Sequence, residues 1–523
     1  MDQRERLRRH EYGSAGKLGT LPPPPQRWEG VLAPQAPEVS SNREIRALST
    51  PEYLRHIHEL TVNVITTPGY CDPETGYISD AAWKSLVDGG LLASSLDDRD
   101  HARRQEEIMW VGRMLSYYDI SLGLTYGITT ALAIMPLQRF GTPEQQETYL
   151  TRIRNGERFG LAITEENKSG STALIMDSNY SMNDNGTTHL VFRKQFQGLT
   201  GNSGLIVAAV KNDASTKTVG LFAIPQELIT TEFTRMMGLH GISYGINRGD
   251  ITINTNEHLM TELSRKGLFD FRDMFIKSRV LFVGMTIGHQ ERMEKEAYDY
   301  ANTRMAGDRL LINIPAYNRA LERIKTRTII LDAMFHHTAA YRTADGESLL
   351  HADTRGIEIE SASIKALSAS YASRSAEERA MLMGGKAYYA DNALQDFLDI
   401  WAFKVFEGAE LMLESQTGQD MLRSKRQIED GEFFDIRRAR ENLEEETREV
   451  ISIIGQWKNT RGSSEERDIH EEKVGEIAFR MFALGCLDRE LYDPDDFEAA
   501  KDLLNLEIQQ LALEFNRIRI PGK

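Results

Sequence analysis

The chain has 523 residues, 41% hydrophobic and 27% charged, the balance of a globular protein with apolar material for more than one core. Its 62 Lys and Arg against 78 Asp and Glu leave a formal net charge of −16, which argues against a general nucleic-acid or anionic-membrane binder. Two cysteines, Cys71 and Cys486, are too few for a disulfide framework or a thiolate metal site and fit a reducing cytoplasm. No uninterrupted apolar run reaches about 18 residues, and the basic N-terminal cluster has no apolar stretch behind it. Neither a membrane span nor a secretory signal is therefore expected.

Residues 1–48 read as a Pro-rich arm. Leu21–Pro25 and Ala33–Pro37 favour extended, polyproline-like backbone packed across a surface. From Ser49-Thr50-Pro51-Glu52 the pattern turns helical, with Tyr53, Leu54, Ile57, Leu60 and Val64 on one face. Helical spacing continues over Ala81–Leu92, Ile108–Tyr118, Leu122–Phe140 and Pro143–Asn155, so 49–157 reads as an all-α domain. Over 158–262 the period falls to two. Phe159–Thr164, His189–Phe192, Gly204–Val210, Thr218–Pro225 and Gly249–Asn254 predict a small antiparallel, barrel-like β-domain. Long helices follow over Phe275–Met305, Asn318–Tyr341, Thr354–Gly384 and Asn392–Met412, a four-helix bundle domain over 263–425. A helical extension over 426–523, with Glu471–Leu484 and Phe497–Phe515, completes the chain. The fold class is α+β and mainly α, with a β-domain between an N-terminal helical domain and a C-terminal long-helix bundle.

The junctions carry motifs. A strand ending Leu161-Ala162-Ile163-Thr164-Glu165 runs into the polar turn Lys168-Ser169-Gly170-Ser171-Thr172. Lys194-Gln195-Phe196-Gln197-Gly198, Gly238-Leu239-His240-Gly241, Tyr300-Ala301-Asn302-Thr303-Arg304 and Gly384-Gly385 follow in order. Lys365 lies 19 residues before the paired glycines, and Asp399 precedes Phe406-Glu407-Gly408. In order, spacing and context these resemble the acyl-CoA dehydrogenase superfamily over roughly residues 50–420.

That resemblance implies FAD as cofactor. Ile163, Thr164, Ser171, Phe196 and Gly198 would meet the flavin, Thr164 by its hydroxyl and Phe196 by its ring. Arg304, Gly384 and Gly385 would meet the FAD pyrophosphate of a neighbouring subunit, so a homo-oligomer is implied, dimeric or tetrameric. Ser171, Arg279 and Gly408 would contact substrate, and Glu407 would remove the α-proton of an acyl thioester. An apolar setting suits that task, because desolvation raises a glutamate toward a base that works near neutrality. By themselves Thr164 and Ser171 read as a solvated turn, Arg304 and Glu407 as exposed helix faces, and Gly384-Gly385 as a helix stop.

Several positions depart from the family pattern. Gly307-Asp308, Pro315 and Met381 stand where it has Phe-Gly and two glutamines, and Ala409 and Gly198 replace threonines. His240 occupies a position where an arginine is common. Ile276 replaces the aspartate that precedes Arg279 in CoA-binding members, which favours a carrier-protein thioester or an unusual acyl donor beside acyl-CoA. The resemblance leaves two electron acceptors open, an electron-transfer flavoprotein for a dehydrogenase and O2 for an oxidase, and a redox-silent binding protein on the same fold is the alternative of a different class. His336-His337 with His351 and Asp353 lacks metal-ligand spacing, and no metal is expected.

Overall fold

The computed structural model describes residues 21–39, 41–96, 99–166, 176–201, 203–212, 218–264, 268–342, 347–350, 357–389, 393–423 and 464–517, with isolated positions between 439 and 447. Two compact units divide the chain, Met1–Leu281 and Phe282–Lys523.

The first unit opens with the Pro-rich arm, which lies on the helices. A short 3-10 turn, Gln26–Trp28, buries the Trp28 indole (2% exposed) edge-on to His58, Trp110 and Tyr117. The Tyr117 hydroxyl donates to the Pro23 carbonyl at 2.8 Å, and the Arg55 guanidinium donates to that of Ala33 at 2.6 Å. Side chains of the helical layer thus satisfy arm carbonyls that lie outside any helix or strand.

Helix α1 (Thr50–Thr66) starts where expected, with Pro51 in its first turn and the Ser49 amide donating to Glu52. Next come α2 (Asp80–Asp88), α3 (His101–Tyr118) and α4 (Ile120–Thr129). The predicted helix to Phe140 is interrupted. A π turn over Thr130–Ile134 precedes α5 (Met135–Phe140), in which Pro136 cannot donate to the preceding turn. The stretch Ile120–Phe140 is long and apolar enough to cross a membrane by length and composition, yet 83% of its most apolar window is buried inside the protein. Helix α6 (Pro143–Arg154) carries a capping box between Thr142 and Gln145.

The sheet comprises β1 (Arg158–Ala162), β2 (Asn179–Met182), β3 (Thr187–Gly198), β4 (Ser203–Lys211), β5 (Val219–Ile224), β6 (Thr230–Thr234), β7 (Tyr244–Asn254) and β8 (Leu259–Leu263). Its order is β6-β7-β3-β2-β4-β5-β8, with β1 pairing β4. Most pairs are antiparallel as expected, but β1 and β2 both run parallel to β4, which makes the sheet mixed. The chain leaves β1, builds the β2–β3 hairpin and returns through β4, and such a return sets strands in the same direction. Strands β2, β6 and β8 have no alternating apolar signature and escaped the sequence reading; β6 is largely exposed. Tyr180, Leu190, Phe192, Leu205, Val207, Phe222 and Ile253 fill the core face.

Helix α7 (Leu268–Thr303) contains the boundary between the units. The second unit continues with α8 (Pro315–Ala340), α9 (Glu358–Met383), α10 (Ala393–Val405), α11 (Glu410–Arg423), α12 (Ser464–Cys486) and α13 (Pro494–Arg517). Helix α9 packs against α8, α10, α11 and α12 and has almost no exposed face. Its Ala and Ser residues make this crowding feasible, since Ser361, Ser363 and Ser368 return their hydroxyl protons to carbonyls of their own helix. On α10, Asp396 takes the guanidinium groups of Arg292 and Arg379, with Glu296 also on Arg379. Helices α11 and α12 cross closely: a Cβ on Gly418 or Gly475 would collide with the carbonyl of Glu471 or Glu414. The C-terminal helices thus belong to the bundle.

Two stability measurements follow. Trp28→Ala should cost about 3–5 kcal/mol by cavity formation, read as a lowered urea midpoint by circular dichroism. Glu414 is pushed up to about 8, first by burial and then by Glu476 and Glu410, with Arg480 opposing. The folded state then holds a proton that the unfolded carboxylate releases near its ordinary 4.5, so stability falls as pH rises through this window. Glu414→Gln should flatten that fall in denaturation midpoints measured from pH 5 to 8.

Candidate active site

In the first unit, β1 ends at Ala162 and the next residues cross to β3. The Gln195 amide donates to the Thr164 carbonyl at 2.9 Å, and the Lys194 ammonium donates to that of Ile163 at 3.1 Å. Lys194 is wholly buried and pairs with Glu165 at 2.8 Å. Glu165 also accepts from the Asp177 and Ser178 amides, at 2.5 and 2.9 Å, so the ends of β1 and β3 and the entry to β2 share one buried knot. Burial would raise the Glu165 carboxyl, but its donors, Lys194 foremost, outweigh that and hold it below the usual range.

This knot sets up the predicted flavin edge. Register shifts between Gln195 and Gln197, where Phe196 is the bulged residue with φ 63°. The bulge turns the ring outward, 61% exposed. Thr164 is half-buried, and its hydroxyl makes no hydrogen bond to any described residue. Gly198 closes the strand opposite Tyr244; a Cβ there would lie 2.8 Å from Ile128 Cδ1, so the strand end and the helical layer leave no room for the family's threonine as they stand. An outward aromatic beside an unpartnered hydroxyl and strand-end backbone fits one edge of a planar heterocycle. Ser171 lies outside the described residues.

The Gly238–Gly241 turn is also built for close approach. Leu239 is buried with φ 55°, and the Gly241 carbonyl accepts from the Ile78 amide at 2.9 Å. Arg279 on α7 is half-buried. Ile276, one turn earlier, is 2% exposed and contributes to the core, so it offers no polar contact to a ligand.

In the second unit, the ends of α7 and α9 meet through Tyr300, whose hydroxyl donates to the Met383 carbonyl at 3.5 Å and whose ring lies under Lys386. Arg304 is thereby placed near the turn carrying Gly384 and Gly385. Its exposed guanidinium makes no ion pair or hydrogen bond with a described residue. Gly384 has φ 58° and ψ −137°, a conformation that only glycine adopts without strain. Neither glycine's missing Cβ would meet anything within 4 Å, so this backbone is open to a group approaching from outside. A free guanidinium beside bare backbone suits a phosphate.

Glu407 corrects the sequence reading most. The predicted helix Asn392–Met412 breaks between Val405 and Glu410. Glu407 has φ 59° and Gly408 φ 106°, so the carboxylate sits on a left-handed turn and not on a helix face. A non-glycine residue there costs about 1–2 kcal/mol and persists only where its surroundings enforce it. Phe406 packs against Phe282 and Phe403, at 5.3 and 4.9 Å between ring centroids, and Lys404 pairs with Glu410 across the turn at 2.9 Å. The wholly buried Lys365 donates to the Lys404 carbonyl at 3.0 Å and to that of Gly408. Glu407 and Gly408 are themselves half-buried.

The structure thus groups Ile163, Thr164, Phe196 and Gly198 in one unit, and Arg304 with Gly384–Gly385 in the other. Lys194 and Glu165 were missed as supports, although both belong to recognised motifs; a buried lysine has no one-dimensional signature. Lys194→Met should cost about 3–5 kcal/mol because it strands the Glu165 charge. The double variant with Glu165→Gln should lose less, as thermal denaturation would record.

Residues 55–157 match the family model for the acyl-CoA dehydrogenase N-terminal domain, and 265–422 that for the C-terminal domain. A probable acyl-CoA dehydrogenase of Bacillus subtilis is 27% identical over 226 residues, 43% of this chain and 37% of its own length. The chain spans less than half the length of the curated relatives it matches. Among solved structures, an acyl-CoA dehydrogenase complexed with FAD from Bacillus anthracis aligns with TM-score 0.71 at 17% identity, over 92% of this chain and 91% of that one. A prolyl acyl carrier protein oxidase aligns with TM-score 0.59 at 16% identity, over 72% of this chain and 97% of its own. With both terminal family models matched around the mixed sheet, the chain belongs to the acyl-CoA dehydrogenase superfamily.

Proposed function

We propose that the protein is an FAD-dependent enzyme that introduces an α,β double bond into an acyl thioester, with Glu407 as the base. The observation that carries this is the enforced left-handed turn of Glu407, a strained carboxylate beside an aromatic cluster where a continuous helix would serve a surface residue better.

In this reading Ile163, Thr164, Phe196 and Gly198 hold the isoalloxazine, Thr164 by donating its hydroxyl proton and Phe196 by covering the ring. Arg304 and the Gly384–Gly385 backbone hold the pyrophosphate. Bound FAD would supply the two-electron acceptor for the substrate's β-hydrogen. The chain's own task is proton chemistry and alignment. Glu407 takes the α-proton, its backbone N–H helps polarise the thioester carbonyl, and Gly408 leaves room for the acyl group. Arg279 faces the thioester's anionic carrier. A homo-oligomer, an electron-transfer flavoprotein partner and a cytoplasmic setting complete the proposal.

The buried, apolar Ile276 favours a second version of the substrate. Without a carboxylate at that position, a carrier-protein thioester becomes the competing donor to acyl-CoA, and the prolyl carrier-protein oxidase of the same fold gives that version a precedent.

Purified protein should be yellow, and anaerobic addition of its acyl thioester should bleach it. Glu407→Gln should keep the colour and slow bleaching by at least about 100-fold, the usual contribution of a general base. Stopped-flow absorbance against a panel of CoA and carrier-protein thioesters reads both. A colourless protein that FAD does not reconstitute would overturn the cofactor assignment, and unchanged bleaching would move the base elsewhere.

A further inference from the structure

Lys365 stands out among the buried charges because its ammonium donates to backbone carbonyls of another helix and of the turn beyond it. Its side chain is fully buried in α9, and its ammonium reaches out of that helix to the Lys404 and Gly408 carbonyls. Lys404 lies in the last turn of α10, where carbonyls have no partner within the helix and the helix dipole places partial negative charge. Gly408 lies beyond the break, after Glu407. One cation therefore bridges the chain on both sides of the catalytic candidate. The Phe406 amide still donates to Ala402 at 3.2 Å, and the Met412 and Leu413 amides already donate to Ala409. The departure from helix is confined to the few residues that the ammonium spans.

We propose that Lys365 is a positioning residue for the base. Its buried ammonium replaces the backbone bonds that a continuous helix would make there, and holds Glu407 and Gly408 in their left-handed conformations, so the carboxylate points in one direction. The Phe406 contacts and the Lys404–Glu410 pair steady the flanks of the turn; Lys365 fixes its centre. Nothing in this role requires Lys365 to touch substrate or cofactor. It rests on Glu407 being the base, but the geometry of the turn can be tested without that reading.

The experiment compares wild type with Lys365→Met, Lys365→Gln and Lys365→Arg as full-length, flavin-loaded protein. Single-turnover anaerobic bleaching gives the limiting rate and the apparent thioester dissociation constant separately. Lys365→Met should lower the limiting rate by about 100-fold, the effect of an ångström-scale misplacement, with flavin content and thioester binding retained. Lys365→Gln, which can still donate to one carbonyl, should lose less, and Lys365→Arg should recover part of the rate. A wild-type limiting rate in Lys365→Met would overturn the proposal. So would failure of both neutral variants to fold, because the lysine would then support the whole bundle. Hydrogen exchange separates the two readings. If no thioester bleaches the wild type, the base assignment fails, yet the amides of Phe406, Met412 and Leu413 should still lose protection in Lys365→Met while those of α9 keep theirs. Unchanged protection at these three amides would overturn the positioning role.

Discussion

A lysine ammonium cannot be left unpaired in a protein interior, and at Lys365 backbone carbonyls around a broken helix share its charge. That one constraint organises much of the second unit. Helix α9, which brings the ammonium to the break, is buried on nearly all sides and rich in small residues, and Ser361, Ser363 and Ser368 return their hydroxyl protons to its own carbonyls. The same helix presents Arg379 to Asp396 on α10, Glu378 to Arg323 and Arg327 on α8, and Tyr371 to Glu507 on α13. These three helices are held by a charge or hydroxyl of α9, and the turn bearing Glu407 is a further feature tied to it.

The first unit uses the same device in a sheet. Lys194 is buried, paired with Glu165, and bonded to the Ile163 carbonyl, so a cation again fixes backbone that a regular ladder does not. Next to it lies a bulge with a left-handed aromatic, Phe196, as a left-handed carboxylate, Glu407, lies within the span of Lys365. In both places a non-glycine residue occupies backbone that glycine would adopt more readily, and a buried lysine lies within reach of the neighbouring carbonyls. Strain held by surrounding structure is a common property of sites that position ligands.

Much of this was legible in one dimension. The period changed from 3.6 to 2 and back because helices and strands bury different faces, and the capping box at Thr142 marked its helix start. The motif residues Thr164, Phe196, Arg304, Gly384 and Glu407 were all named from their order. Short strands with no buried face, such as β6, carried no periodic signal and were missed. The parallel pairing of β1 and β2 with β4 was equally hidden, since strand direction depends on the path of the intervening chain.

The sequence by itself determined which residues are available for chemistry and in what order, because residue type and local period are properties of neighbours along the chain. It read Asn392–Met412 as one helix, for every residue there except Gly408 tolerates one. Only the tertiary structure decided that the helix breaks at Glu407. The ammonium that takes up the carbonyls flanking the break arrives from Lys365, about forty residues away in sequence, and no local pattern encodes a contact made across that distance.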